Sequence, residues 1–195
     1  MLISLVVFAA VIQMFGAGIY IRDTLRGRTK PNRVTWFLWA AAPLIATAII
    51  VVEGKLNWTA LPVFMAGFVP ALIFAASFFN ANAYWRLGRF DYACGALGLI
   101  SLAMWVAVSQ PIIAFIMLMA TDGLAALPTI RKAWTNPETE TGAPYAAALF
   151  GGLAGVANVQ NWVTLEYAFP LYLVAVNIAV LFAIYRKRVP AVSGA

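Results

Sequence analysis

The sequence predicts an all-α membrane protein of seven transmembrane helices, built as two parallel three-helix repeats joined by a linker helix. Three observations carry that prediction. Of the 195 residues, 64% are hydrophobic and only 10% are charged, whereas a soluble domain is nearer half apolar and a quarter charged. Seven mostly apolar runs have about the 20-residue length that crosses a bilayer. The basic residues fall on every second connection between those runs.

The runs span roughly 2–21, 34–52, 59–79, 91–109, 111–130, 144–160 and 165–185. The first has no positively charged n-region before it, so it reads as a retained span rather than a cleaved signal. Trp36, Trp39, Trp58, Tyr84, Trp85, Trp134, Tyr145, Trp162 and Tyr185 fall near span ends, where amphipathic rings suit the membrane interface. Only Ser109, Gln110 and Pro111 divide the fourth run from the fifth. Proline is well tolerated at a first helical position, so Pro111 is expected to open a new helix.

The charges test the count. Arg22, Arg26, Arg28, Lys30 and Arg33 follow the first run, Arg86 and Arg89 the third, and Arg131 and Lys132 the fifth. Arg186, Lys187 and Arg188 follow the seventh, and only Lys55 lies on the other side. Under the positive-inside rule, this places the N-terminus outside and the C-terminus in the cytoplasm of a multi-pass cell-membrane protein. The net charge of +6 is thereby explained by topology and anionic-lipid contact. Membrane lipids are expected partners, and nucleic acid is not.

The chain also repeats itself. Arg22 and Arg131 each follow an isoleucine and lie 109 positions apart, as do Trp36 and Tyr145. Asn57-Trp58 matches Asn161-Trp162, and Pro70 matches Pro170, at slightly smaller offsets. A shift of four spans preserves orientation, so the repeat is parallel, about an axis along the membrane normal. The chain divides as one transmembrane domain, 1–195. It comprises a first repeat at 2–79, a linker helix at 91–109, a second repeat at 111–186 and a short cytoplasmic tail at 187–195.

This 3+1+3 build resembles the SWEET and PQ-loop transporter superfamily over about residues 2–186. Leu127-Pro128-Thr129-Ile130-Arg131 looks like the family's proline motif without its Gln. Pro43 suits a second of its helix-breaking prolines, and Pro144 opens the sixth helix. The first helix departs from the pattern, with Gly16 and Gly18 where a proline would stand, and no Pro-Gln dipeptide occurs. The resemblance implies gating at Pro43 and Pro128. It also implies that Ser77 and Asn177, each seven residues after its repeat's proline, face one another across a substrate pocket. An interhelical hydrogen bond without substrate is the other reading of that pair.

Asp122 is the ionisable residue that reads as lying deep in the membrane. It falls about eleven residues into the fifth span, roughly 16 Å along the helix, where an Asp costs about 2.5–3.5 kcal/mol on insertion scales. Two roles fit it: a proton- or cation-sensitive group lining a cavity, or a neutral acid acting as interhelical glue. At the 109 offset its counterpart is Gln13, which is expected to oppose it across the cavity. Tyr20, Trp36, Trp39 and Tyr145 gather where basic loops meet helices, either to stack on a solute or to anchor the interface. Gly151, Gly152 and Gly155 form a small-residue face for close helix packing, Asn158 is a weaker polar candidate, and Glu138 and Glu140 read as a solvated turn.

The absence of histidine and the single Cys94 remove His-based metal sites and Cys-His or Ser-His catalysis. No enzyme activity, cofactor or metal is expected. Lys30, Lys55, Lys132 and Lys187 all sit at span ends, which leaves no helix-seven lysine for a retinal-type chromophore. The expected function is a transporter or facilitator for a small polar solute such as a sugar or vitamin, with Asp122, Gln13, Ser77, Asn177, Trp36 and Tyr145 lining its site. A non-transporting scaffold or accessory subunit is the alternative, and a homo-oligomer is compatible with either.

Overall fold

A computed structural model describes residues 3–54, 56, 58, 60–157, 159 and 164–186. These form seven α-helices: α1 (Ile3–Leu25), α2 (Arg33–Val52), α3 (Ala60–Ala76), α4 (Arg89–Ala107), α5 (Pro111–Thr135), α6 (Ala143–Ala157) and α7 (Thr164–Tyr185). Five are long and apolar enough to cross a membrane, and α3 and α6 are shorter apolar helices. Lys55, Asn57, Asn158, Gln160, Asn161, Trp162, Lys187, Arg188 and the rest of the tail lie outside the described residues.

The helices stand where the apolar runs predict, but several ends differ. α1 continues past Arg22 to Leu25, and α5 passes through Pro128 to Thr135. A charge ends an apolar run without ending the helical hydrogen-bond ladder, so counting apolar residues cuts both short. α1 stops where Gly27 adopts φ +73, a left-handed conformation that a Cβ disfavours. Asn80 then donates to the Leu25 carbonyl (2.8 Å) and satisfies one of the helix's free acceptors. α2 is opened by Asn32, whose side chain accepts from the Val34 and Thr35 N–H groups. The same Asn32 donates to Asp91 (2.8 Å) at the start of α4, which pins two helix N-termini together.

α3 packs against α1 and α2, α7 packs against α5 and α6, α1 meets α6, and α2 meets α5. Six helices therefore close a ring in the order α1–α3–α2–α5–α7–α6. α4 stands outside it, against α5 and α2. Small residues permit the close crossings. A methyl group on Gly98 of α4 would come within 2.6 Å of Leu38 on α2, and one on Gly16 within 3.0 Å of the Ala143 carbonyl on α6. Gly152 fits against Pro170 and Val174 of α7, as the small-residue face of α6 predicts.

One end of the ring gathers the basic connections. Lys30 N–H donates to the Thr139 carbonyl (3.0 Å), and Arg186 reaches the Trp134 carbonyl. With the Asn80 and Asn32 bonds, these join the α1–α2, α3–α4 and α5–α6 connections and the end of α7. Large apolar side chains such as Phe15 (73%), Ile100 (56%) and Phe182 (60%) are exposed on the outside of the bundle. Apolar surface of this kind costs roughly 25 cal/mol per Å² in water and nothing in lipid.

Candidate functional site

The interior at the basic end is closed by a buried polar and aromatic cluster. Lys132, near the end of α5, and Glu140, just after the short 3-10 turn Pro137–Thr139, form an ion pair of 2.6 Å. Their side chains are 1% and 0% exposed. An ammonium group has three donors, and Lys132 directs them to Glu140 and to the carbonyls of Lys30 and Thr139. The second oxygen of Glu140 accepts from Tyr20 (3.0 Å) and Tyr145 (3.3 Å). Every charge in the pair is matched, the condition under which a buried pair persists.

Glu140 is thus not in the solvated turn that its Pro- and Thr-rich surroundings suggest; Glu138 is, and it is exposed. α5 ends at Thr135, so no single helix carries both positions 132 and 140. The chain instead reverses through the 3-10 turn and folds the acid back beneath the lysine.

Four aromatic side chains extend the cluster inward. Trp36 donates from Nε1 to the Tyr20 hydroxyl (3.2 Å), and its ring lies 5.0 Å from Tyr20, 5.9 Å from Tyr145 and 5.3 Å from Trp39. Tyr20, Trp36 and Tyr145 are at most 2% exposed. That burial removes interface anchoring as the role of these three, because an anchor must reach the headgroup region. The cluster joins α1, α2 and α6.

Asp122 lies ten residues before Lys132 on α5, about 15 Å further from the basic end. Its carboxylate accepts from the Tyr172 hydroxyl on α7 (2.9 Å), and its backbone carbonyl accepts from Trp39 Nε1 on α2 (3.3 Å). Gly123 leaves the space that Tyr172 fills: a methyl group there would be 3.1 Å from the hydroxyl. Nearby, Thr129 donates to Thr35, and Thr35 to the Ala125 carbonyl, at 2.9 and 2.7 Å. α2, α5 and α7 are therefore tied together by polar contacts around the acid. Tyr172 was not legible as a site residue in the sequence; its only signal is a tyrosine two positions after Pro170 in an apolar helix.

The remaining predicted residues divide. Gln13 is half-buried on α1 with its amide against Gly151 of α6. α1 and α5 hold opposite places in the ring, and no hydrogen bond joins Gln13 to Asp122 among the described residues. Ser77 lies just beyond the end of α3 at the basic end, where it accepts from Arg33 (3.1 Å) and donates to the Phe74 carbonyl. Asn177 is buried, and its amide donates to Leu173 one turn back in α7 (2.8 Å). α3 stops six residues after its proline while α7 continues fifteen beyond its own, so equal spacing from a proline does not give equal surroundings.

Pro43 and Pro128 both sit inside continuous helices. Each removes one backbone donor, leaving the carbonyl four residues back without its helical partner; the Thr47 hydroxyl separately donates to the Pro43 carbonyl (2.8 Å). No group of three or more metal-ligating side chains occurs among the described residues. Comparison with family models, curated proteins and solved structures finds no match to this chain.

Proposed function

We propose that the chain is a transporter or facilitator for a small polar solute, in the 3+1+3 architecture that its sequence resembles. In this reading α1–α3 and α5–α7 are two copies of one unit, and α4 is the linker. Exchanging α1 with α5, α2 with α6 and α3 with α7 maps the ring of neighbours onto itself. Trp36 and Tyr145, 109 positions apart, touch each other, as do Lys30 and Thr139 at the same separation. A residue that touches its own counterpart sits beside the axis relating the copies. The contact of Thr35 with Ala125 is likewise matched at that offset by Pro144 with Gly16.

The observation that carries the function is the seal itself. A satisfied ion pair and three buried rings converge on the proposed axis at the basic end, with an acid bonded between helices below them. Apolar packing would close the same space with no buried charge and at least equal stability, so in this reading the pair serves a closure that comes apart. By the positive-inside rule the basic end faces the cytoplasm, so this is a cytoplasm-closed state. Opening it exposes Asp122, Trp39 and Tyr172 to a solute.

The test is a thermal-shift screen of the purified chain against sugars, nucleosides, vitamins and amino acids, followed by uptake of any hit into vesicles. A ligand of the folded state raises its stability by mass action. Uptake above protein-free vesicles, reduced by Asp122→Asn, is expected. No uptake of any stabilising solute, with one stoichiometric protein partner co-purifying, would replace this reading with the scaffold.

A further inference from the structure

Outside the ring, the start of α4 and the end of α5 enclose a cleft of about 470 Å³, lined by Trp85, Arg86, Arg89, Phe90, Asp91 and Arg131 among others. The three arginines are exposed, and the ion pairs among the described residues, Arg22–Asp23 and Lys132–Glu140, involve none of them. Arg131 instead lies over the Phe90 ring at 4.7 Å. The acid in the wall, Asp91, has its oxygens occupied by the neutral donors Asn32 Nδ2 and Gly88 N–H. At this end Arg22 pairs with Asp23 and Arg33 bonds to Ser77, Lys132 in the cleft wall pairs with Glu140, and Arg26 and Arg28 are exposed on the α1–α2 connection, away from the cleft. The cleft concentrates unpaired positive charge.

Below the cleft the surface becomes apolar at once. Phe90, Leu97 and Met104 lie seven residues apart and share one face of α4, and all three are exposed. Leu127, one turn before Arg131 on α5, is exposed as well. A free anion would use only the arginines. A ligand with a charged head and apolar tails uses both parts, and a basic cleft between helices at a membrane surface suits an anionic headgroup.

We propose that the α4–α5 cleft is a binding site for an anionic phospholipid. Its headgroup phosphate is held by Arg86, Arg89 and Arg131, and its acyl chains run along Phe90, Leu97, Met104 and Leu127.

The test is native mass spectrometry of the full detergent-solubilised chain, titrated with phosphatidylglycerol and with phosphatidylcholine of the same acyl chains. Phosphatidylglycerol is expected to bind at least tenfold more tightly. Each of Arg86→Gln, Arg89→Gln and Arg131→Gln weakens it about fivefold, and the triple variant abolishes the preference. The triple variant Arg22→Gln, Arg26→Gln, Arg28→Gln, equally discharged but away from the cleft, retains it. Equal binding of the two lipids, or equal loss in the two triple variants, overturns the site. Displacement of phosphatidylglycerol by inorganic phosphate assigns the cleft to a free anion and overturns the lipid. Where the cleft triple does not fold, the single variants decide, and wild-type affinity in all three overturns the proposal.

Discussion

The ammonium of Lys132 and the carboxylate of Glu140 meet at 2.6 Å with neither side chain in contact with solvent. Eight positions separate them in the chain, and a 3-10 turn brings them together. Removing one member leaves the other charged and buried. Glu140→Ala is expected to destabilise the protein by about 3–5 kcal/mol. Lys132→Met combined with Glu140→Gln should recover at least half of that loss. Thermal unfolding in detergent reads both, and wild-type stability in Glu140→Ala would show that the pair is not buried.

The Tyr172 hydroxyl is held by Asp122 and by the space beside Gly123. Tyr172→Phe is expected to cost about 1 kcal/mol through the lost hydrogen bond. Gly123→Leu, which drives the ring from its place, should cost about 1–3 kcal/mol by overpacking. If the transport reading holds, both variants also lower uptake, and Asp122→Asn lowers it most. Unchanged uptake in all three would remove the acid from the mechanism.

Thr35 links Thr129 to the Ala125 carbonyl across α2 and α5. Thr35→Val keeps the shape and strands both partners, so a loss of about 1–3 kcal/mol is expected. Thr35→Ser, which keeps the hydroxyl, should lie much nearer wild type. A Ser variant as unstable as Val would assign the effect to packing rather than to the hydrogen bonds.

Lys30 and Thr139 touch through their backbones at the basic end. In the transport reading, a Cys94→Ala background carrying Lys30→Cys and Thr139→Cys is expected to form a disulfide that stops uptake, with recovery on reduction. Transport at the wild-type rate through the oxidised protein would show that this end need not open.

Much of the fold was legible because its signals are local. Apolar run length marks a helix that can lie in lipid, and the separation of 109 positions in Trp36 and Tyr145 was visible before their contact was. Helix ends were less legible: α5 carries its ladder through Pro128, Arg131 and Lys132, which an apolar count reads as a boundary. The site was legible in part. Asp122 stood out as an acid in an apolar run, but Tyr172 and Glu140 did not, since an ordinary tyrosine and an acid in a polar turn are unremarkable until something packs against them. The bond of Ser77 to Arg33 was not legible, because spacing from Pro70 does not show where α3 stops.

By itself, then, the sequence determined seven apolar helices and a basic end, and it pairs a few residues at a separation of 109 positions. These follow from composition and from positions along one strand of residues. Tertiary structure alone decided that Lys132 finds Glu140, that Asp122 finds Tyr172 and that Gln13 meets Gly151. Such partners lie on different helices or, for Glu140, on the connection between two of them. Their meeting depends on crossing angles and axial offsets set by small side chains such as Gly16, Gly98 and Gly152, and no spacing within a single helix encodes those.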